Sequence, residues 1–254
     1  MKRVREGFLF IAAFIAVSGV LCPVAGAPVD KAVAVLLDKD GPTSGKSVTL
    51  EYLLSQLDAG NKRRNALLAG YSVVREYRAS NPFTHTQAQM LVKMIFRNPS
   101  SKEFTVVSEA GSKIIRSRVF HPALAAEQEA VRSDLKLRST IGPDNYDFSL
   151  LGEEEVRNRR CYVLGAHPKR KDKFLLRGRV WIDAADYAVA RVQGELVKLP
   201  SFWTRRVEYL RDYQKVGEFW LPLRDESVSQ ILIFGRSTLT ITHSEYKIES
   251  RNSE

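Results

Sequence analysis

From residue 67 onward the apolar positions of this chain recur with a period of two. Along residues 87–97, Ala88, Met90, Val92, Met94 and Phe96 fall on one side, as expected of a strand with one face buried. The same reading, with β-branched and aromatic residues between turn formers, predicts strands over 71–77, 104–107, 146–151, 160–166, 175–182, 187–197, 203–216, 219–233 and 237–248. The clearest hairpin is 175–197, with a tight turn at Asp183-Ala184-Ala185-Asp186. In its second strand Ala188, Ala190, Val192, Gly194 and Leu196 predict one buried face, with Arg191, Gln193 and Glu195 on the wet one. Pro222 marks a bulge or an edge strand.

Two segments have the helical period instead. Leu50, Leu53, Leu54 and Leu57 fall at i, i+3, i+4 and i+7, with Ser47 as N-cap and Gly60 past the end. The Ala-rich stretch 123–137 follows Pro122, and its Leu124, Val131 and Leu135 predict a second amphipathic helix. Residues 114–119 fit neither period. Together these elements predict a mainly β fold: an unclosed antiparallel half-barrel whose concave face is covered by the two helices. Such a cavity is a site for an apolar ligand. Met90, Val92, Met94, Phe96, Ala190 and Val192 are assigned to the concave lining, and Leu53 and Leu57 close over it. The two methionines suit a changeable apolar ligand as well as ordinary core filling.

The first residues change the picture of where this fold works. Lys2, Arg3 and Arg5 precede the uncharged run 7–21, which is shorter than the ~20 residues that span a bilayer as a helix. Residues 1–26 are therefore expected to be a cleaved signal peptide, with Val24-Ala25-Gly26 before the cut. Residues 27–45 form a linker and 46–250 one domain, placed in the periplasm. Leu21 stands where a lipidation motif around Cys22 needs a small residue, so cleavage rather than lipidation is expected. Removal of Cys22 leaves only Cys161, which is expected in a core and without an intramolecular disulfide.

At 44% hydrophobic residues the chain can bury one sizeable core. The formal charge of +10 is spread over Lys62-Arg63-Arg64, residues 157–160, residues 169–173 and Arg205-Arg206, all at or beside predicted turns. Solvated loop ends explain this pattern, and weak attraction to anionic headgroups or an acidic protein is its functional counterpart. An exported address and the lack of a recognition motif argue against nucleic acid.

Catalytic chemistry finds no constellation. Gly41-Pro42-Thr43-Ser44-Gly45-Lys46-Ser47 resembles a phosphate-binding loop but has three residues between its glycines where four are needed. His85, His121, His167 and His243 are scattered without metal-ligand spacing. Glu153-Glu154-Glu155 reads as a solvated turn, and Asp183 and Asp186 as turn chemistry. No Gly-x-Ser-x-Gly elbow occurs. The expectation is a non-enzyme with no metal and no cofactor.

Gly178-Arg179-Val180-Trp181-Ile182-Asp183, Tyr187-Ala188-Val189-Ala190-Arg191-Val192 and Gly217-Glu218-Phe219-Trp220-Leu221-Pro222, with Ser201-Phe202-Trp203 and Ile233-Phe234-Gly235, resemble the LolA-like outer-membrane lipoprotein-sorting proteins. The resemblance implies an unclosed barrel with helical lids whose apolar interior receives the acyl chains of a lipoprotein or another lipid. It implies a monomeric periplasmic carrier, with an inner- or outer-membrane protein as a further partner. The alternative is an envelope sensor or scaffold that uses the same groove to bind lipid or a partner protein.

Overall fold

The computed structural model describes residues 48–99, 101–131 and 139–251. The expected signal peptide, the linker, Cys22, Ser47 and the loop 41–47 lie outside the described residues, as does Leu135. Helix α1 (Leu50–Leu67) leads into strands β1 (Leu68–Asn81), β2 (Thr86–Arg97) and β3 (Ser101–Gly111). A helical segment follows: α2 (Lys113–Ile115), a π-turn (Arg116–Phe120) and α3 (His121–Val131). The remaining strands are β4 (Tyr146–Val156), β5 (Arg159–Pro168), β6 (Leu176–Asp183), β7 (Val189–Leu196), β8 (Thr204–Val216), β9 (Phe219–Ile231) and β10 (Gly235–Ser250).

All ten strands form one sheet in the order β3-β2-β1-β10-β9-β8-β7-β6-β5-β4. Every pairing is antiparallel, and among the described residues β3 and β4 are unpaired edges, so the barrel is open. Sequential hairpins supply all pairings except β1 with β10 and the break between β3 and β4. The half-barrel with helices on one face is the architecture expected from the sequence.

Local chemistry explains the turns. Asp183 Oδ1 accepts from Ala185 N at 3.0 Å and Asp186 N at 2.8 Å, closing the β6–β7 turn as an Asx-type turn. The β4–β5 turn corrects the reading of the three glutamates. Glu153, Glu154 and Glu155 pair with Tyr162, Cys161 and Arg160 as part of β4. The chain reverses at Arg157 and Asn158, both at positive φ (52° and 61°), which is the backbone of a tight hairpin turn. Pro222 lies in the interior strand β9 beside a register shift, where the bulge replaces a ladder bond that proline cannot donate.

Helix α1 starts two residues further on than an N-cap at Ser47 would place it, with Thr49 Oγ1 accepting from Tyr52 N at 3.3 Å. It runs past Gly60 to Leu67 because Gly60 makes room for Arg64 rather than ending the helix: a Cβ there would sit 3.0 Å from the Arg64 guanidinium. Arg64 donates to the backbone carbonyls of Asp186 and Tyr187 at 3.2 and 3.4 Å, pinning α1 to the β6–β7 turn. Residues 114–119 are helical, and Pro122 follows the π-turn inside a continuous helical run rather than opening it.

Candidate functional site

Residues paired across a sheet point to the same side. One row therefore crosses the whole sheet: Leu150, Leu164, Val180, Val192, Arg211, Asp225, Ile241, Tyr77, Met90 and Glu109, one from each strand from β4 to β3. This is the face under the helices. At the β4–β8 end, Leu53 and Leu57 of α1 pack on Tyr162, Leu164, Val180, Ile182, Val192 and Tyr209. At the other end, Ile115, Val119, Phe120 and Leu124 of the helical segment cover Tyr77, Met90, Val92, Leu239 and Ile241. Met94 and Phe96 join Tyr71, Val73, Phe219 and Leu221 in an adjoining cluster.

Between the apolar ends the face is polar. Strand β9 turns Asp225, Ser227 and Ser229 inward, all buried. Asp225 accepts from Arg211 Nε and from Tyr209 OH, and its other oxygen lies 2.8 Å from His243 Nε2. Beside His243, Arg75 Nη1 reaches Glu127 Oε2 of α3 at 2.9 Å, and Lys102 Nζ reaches Glu127 Oε1 at 2.7 Å. Every charged member of this group is at most 3% exposed. Burial acts to raise the Glu127 carboxyl, but Arg75 and Lys102 outweigh it and hold it at about 2. Burial lowers Lys102 to about 8 and His243 to about 4, so His243 is a neutral imidazole at pH 7.

Besides Ser229 Oγ, three polar atoms of this centre have no hydrogen-bond partner among the described residues: Arg75 Nε, Tyr77 OH and His243 Nδ1. With Nε2–H directed at Asp225, Nδ1 carries a lone pair, so the centre offers a charged donor, an acceptor and a hydroxyl that can serve as either. Buried groups of this kind are costly unless something satisfies them. Among the described residues no cluster of His, Cys, Asp and Glu is placed to hold a metal ion.

Residues 127–253 match a family model described as "Uncharacterized protein". The chain belongs to that family. Its fold is the open antiparallel sheet with helices over one face that the resemblance in its hairpins implied. No curated protein matches the chain. Solved structures to which it is similar include a putative outer membrane lipoprotein-sorting protein domain from Vibrio parahaemolyticus, at 12% identity over 79% of this chain and 94% of that one, with a TM-score of 0.41. A LolA superfamily protein from Nitrosomonas europaea is 11% identical over 81% and 96%, with a TM-score of 0.35. A DUF1329 family protein from Desulfovibrio piger is 13% identical over 77% and 92%, with a TM-score of 0.39. At such values these likenesses say nothing of ligand or activity, and the fold stands on the chain's own sheet.

The eight residues assigned from sequence divide among these clusters. Met90 and Val92 lie under the second helical segment, Met94 and Phe96 in the adjoining cluster, and Leu53, Leu57 and Val192 at the α1 end. Ala190 is on the opposite face, packed with Cys161, Val163, Trp181, Ala188 and Trp220. The cause is a bulge: Trp181 pairs with Arg191 and Ile182 with Val189, leaving Ala190 as the extra residue. Beyond it the alternation resumes in the opposite phase, which separates Ala188 and Ala190 from Val192. Cys161 is buried in that outer cluster, and burial first, then Asp183, pushes its thiol up to about 11.

The residues of the polar centre were not assigned from sequence. Four of them nevertheless carry the same signal: a charged or imidazole side chain in the apolar phase of its strand. Arg75 stands between Val73 and Tyr77, Arg211 after Val207 and Tyr209, His243 after Leu239 and Ile241, and Lys102 before Phe104.

Proposed function

We propose that this protein is a periplasmic carrier for lipoprotein acyl chains or another acylated lipid, held between the inner face and its helices. The observation that supports this most is the continuous inner face, apolar at both ends and polar at its centre, beneath a first helix attached by few side chains. Helix α1 buries only Leu53, Leu57, Gly60 and Arg64, and a fully buried leucine contributes about 1.5–3 kcal/mol. Such a lid can be displaced by an acyl chain, each buried CH₂ of which contributes about 0.8 kcal/mol. The envelope address rests on the signal-peptide pattern of residues 1–26.

The polar centre gives the ligand an orientation. Lifting α3 takes the Glu127 carboxylate away from Arg75 and Lys102, and an anionic headgroup or carboxylate entering in its place restores the charge balance. Arg75 Nε, Tyr77 OH and His243 Nδ1 then gain partners. Native mass spectrometry of the protein purified from its own periplasm, followed by solvent extraction, tests this reading. A stoichiometric acylated species is expected. A folded, empty protein that also fails to take up a fluorescent fatty acid would overturn it.

The latch made by Glu127 favours a second reading, an envelope sensor in which bound lipid releases α3 to a partner protein. Transfer of labelled lipid to acceptor vesicles distinguishes the two: a carrier transfers, a sensor retains.

A further inference from the structure

Three loops meet at one end of the sheet: the β1–β2 turn (residues 82–85), the connection into β8 (residues 197–203) and the β9–β10 turn (residues 232–234). Leu232 N donates to Trp203 O at 2.9 Å, and Asn81 Nδ2 donates to Phe234 O and Ser237 Oγ, both at 2.8 Å. These bonds hold the loops together as one built surface. On it Phe202 is 85% exposed, Phe83 69%, Ile233 52%, Leu232 43% and Leu199 39%. None of the five belongs to any of the four core clusters.

Within these loops and their immediate flanks the charge has one sign. Residues 81–86, 197–205 and 231–236 contain Lys198, Arg205 and Arg236 but no Asp or Glu. All three cations are exposed, and none pairs with a carboxylate among the described residues. The carboxylates of Glu195 and Glu208 on the adjoining strands are held by Arg206. Trp203 lies edge-on to Phe202, ring centroids 5.4 Å apart, with the indole half-buried at the rim.

Projecting apolar loop tips ringed by unpaired cations match a surface that is hydrocarbon inside and anionic at its rim. A protein partner would call for polar rim groups of both kinds, donors and acceptors. We infer that this end of the sheet docks the protein on an anionic phospholipid bilayer. Phe83, Phe202 and Ile233 enter the boundary between headgroups and acyl chains, while Lys198, Arg205 and Arg236 face the phosphates. This surface is built from loop residues outside the helix-covered face, so the inference does not depend on what that face carries.

The test is co-sedimentation of the protein with vesicles of phosphatidylcholine, with and without phosphatidylglycerol. Binding is expected to be at least about tenfold tighter with the anionic lipid and to weaken with salt. The double variant Phe83→Ser/Phe202→Ser and the triple variant Lys198→Glu/Arg205→Glu/Arg236→Glu should each lose about tenfold or more. All five positions are exposed, so circular dichroism should show an unchanged fold. The Trp203 fluorescence should shift to the blue on binding, and Trp203→Phe should abolish that shift. Equal affinity for neutral vesicles, or full binding by the folded variants, would overturn the inference. So would capture of a purified protein by this patch when vesicles are not bound.

Discussion

His243 and Glu127 make the inner face sensitive to acid, through opposite kinds of charge change. Folding lowers His243 from its ordinary value of 6.5 to about 4 and Glu127 from 4.5 to about 2. In both cases the unfolded chain binds the proton first, so the stability each contributes is complete above its unfolded value and is lost as pH falls through the folded one. Unfolding midpoints in urea should therefore begin to fall below about pH 6.5 and steepen below pH 4.5. In His243→Asn the first part of that decline should be flat; a wild-type slope there would refute the assignment. At neutral pH, Glu127→Gln leaves Arg75 and Lys102 against a neutral amide and should cost about 3–5 kcal/mol, read from the same midpoints. These residues escaped sequence reading because a charge in the apolar phase of a strand resembles a slip in phase. Only cross-strand neighbours show that Arg75, Arg211 and His243 share one face.

At the scale of elements, α1 is a lid attached at two kinds of point: Leu53 and Leu57 against the sheet, and Arg64 against the β6–β7 turn. Leu53→Ala should weaken that attachment by about 2–5 kcal/mol. Hydrogen exchange should then quicken across residues 50–67 while β5–β8 stay protected. Uniform loss of protection would show that the helix and the sheet unfold as one unit. The strands and the leucine stripe of this helix were legible because their periods are long and clean. Its end was not, since Gly60 serves the packing of Arg64 rather than termination. Ala190 was misplaced for a similar reason: period-two reasoning carries no signal for the one extra residue in β7.

For the molecule as a whole, the open barrel has two exposed edges to protect. On β4 the edge carries Glu153, Glu154 and Glu155; among the described residues Glu153 meets Arg160 at 3.6 Å, Glu154 meets Arg179 at 3.5 Å, and Glu155 meets no arginine. Charges on an edge strand oppose pairing with a second sheet. Glu153→Thr/Glu155→Thr should bring concentration-dependent association at roughly tenfold lower protein concentration, measured by light scattering. Unchanged scattering would mean that the bulge between Leu150 and Gly152 already blocks the edge.

The order of strands places those two edges at consecutive positions along the chain, with a single connector from Gly111 to Tyr146 running between them. The sheet is thus a bow and the connector its string. However far the helices lift, the gap between the edges cannot exceed the contour of that string.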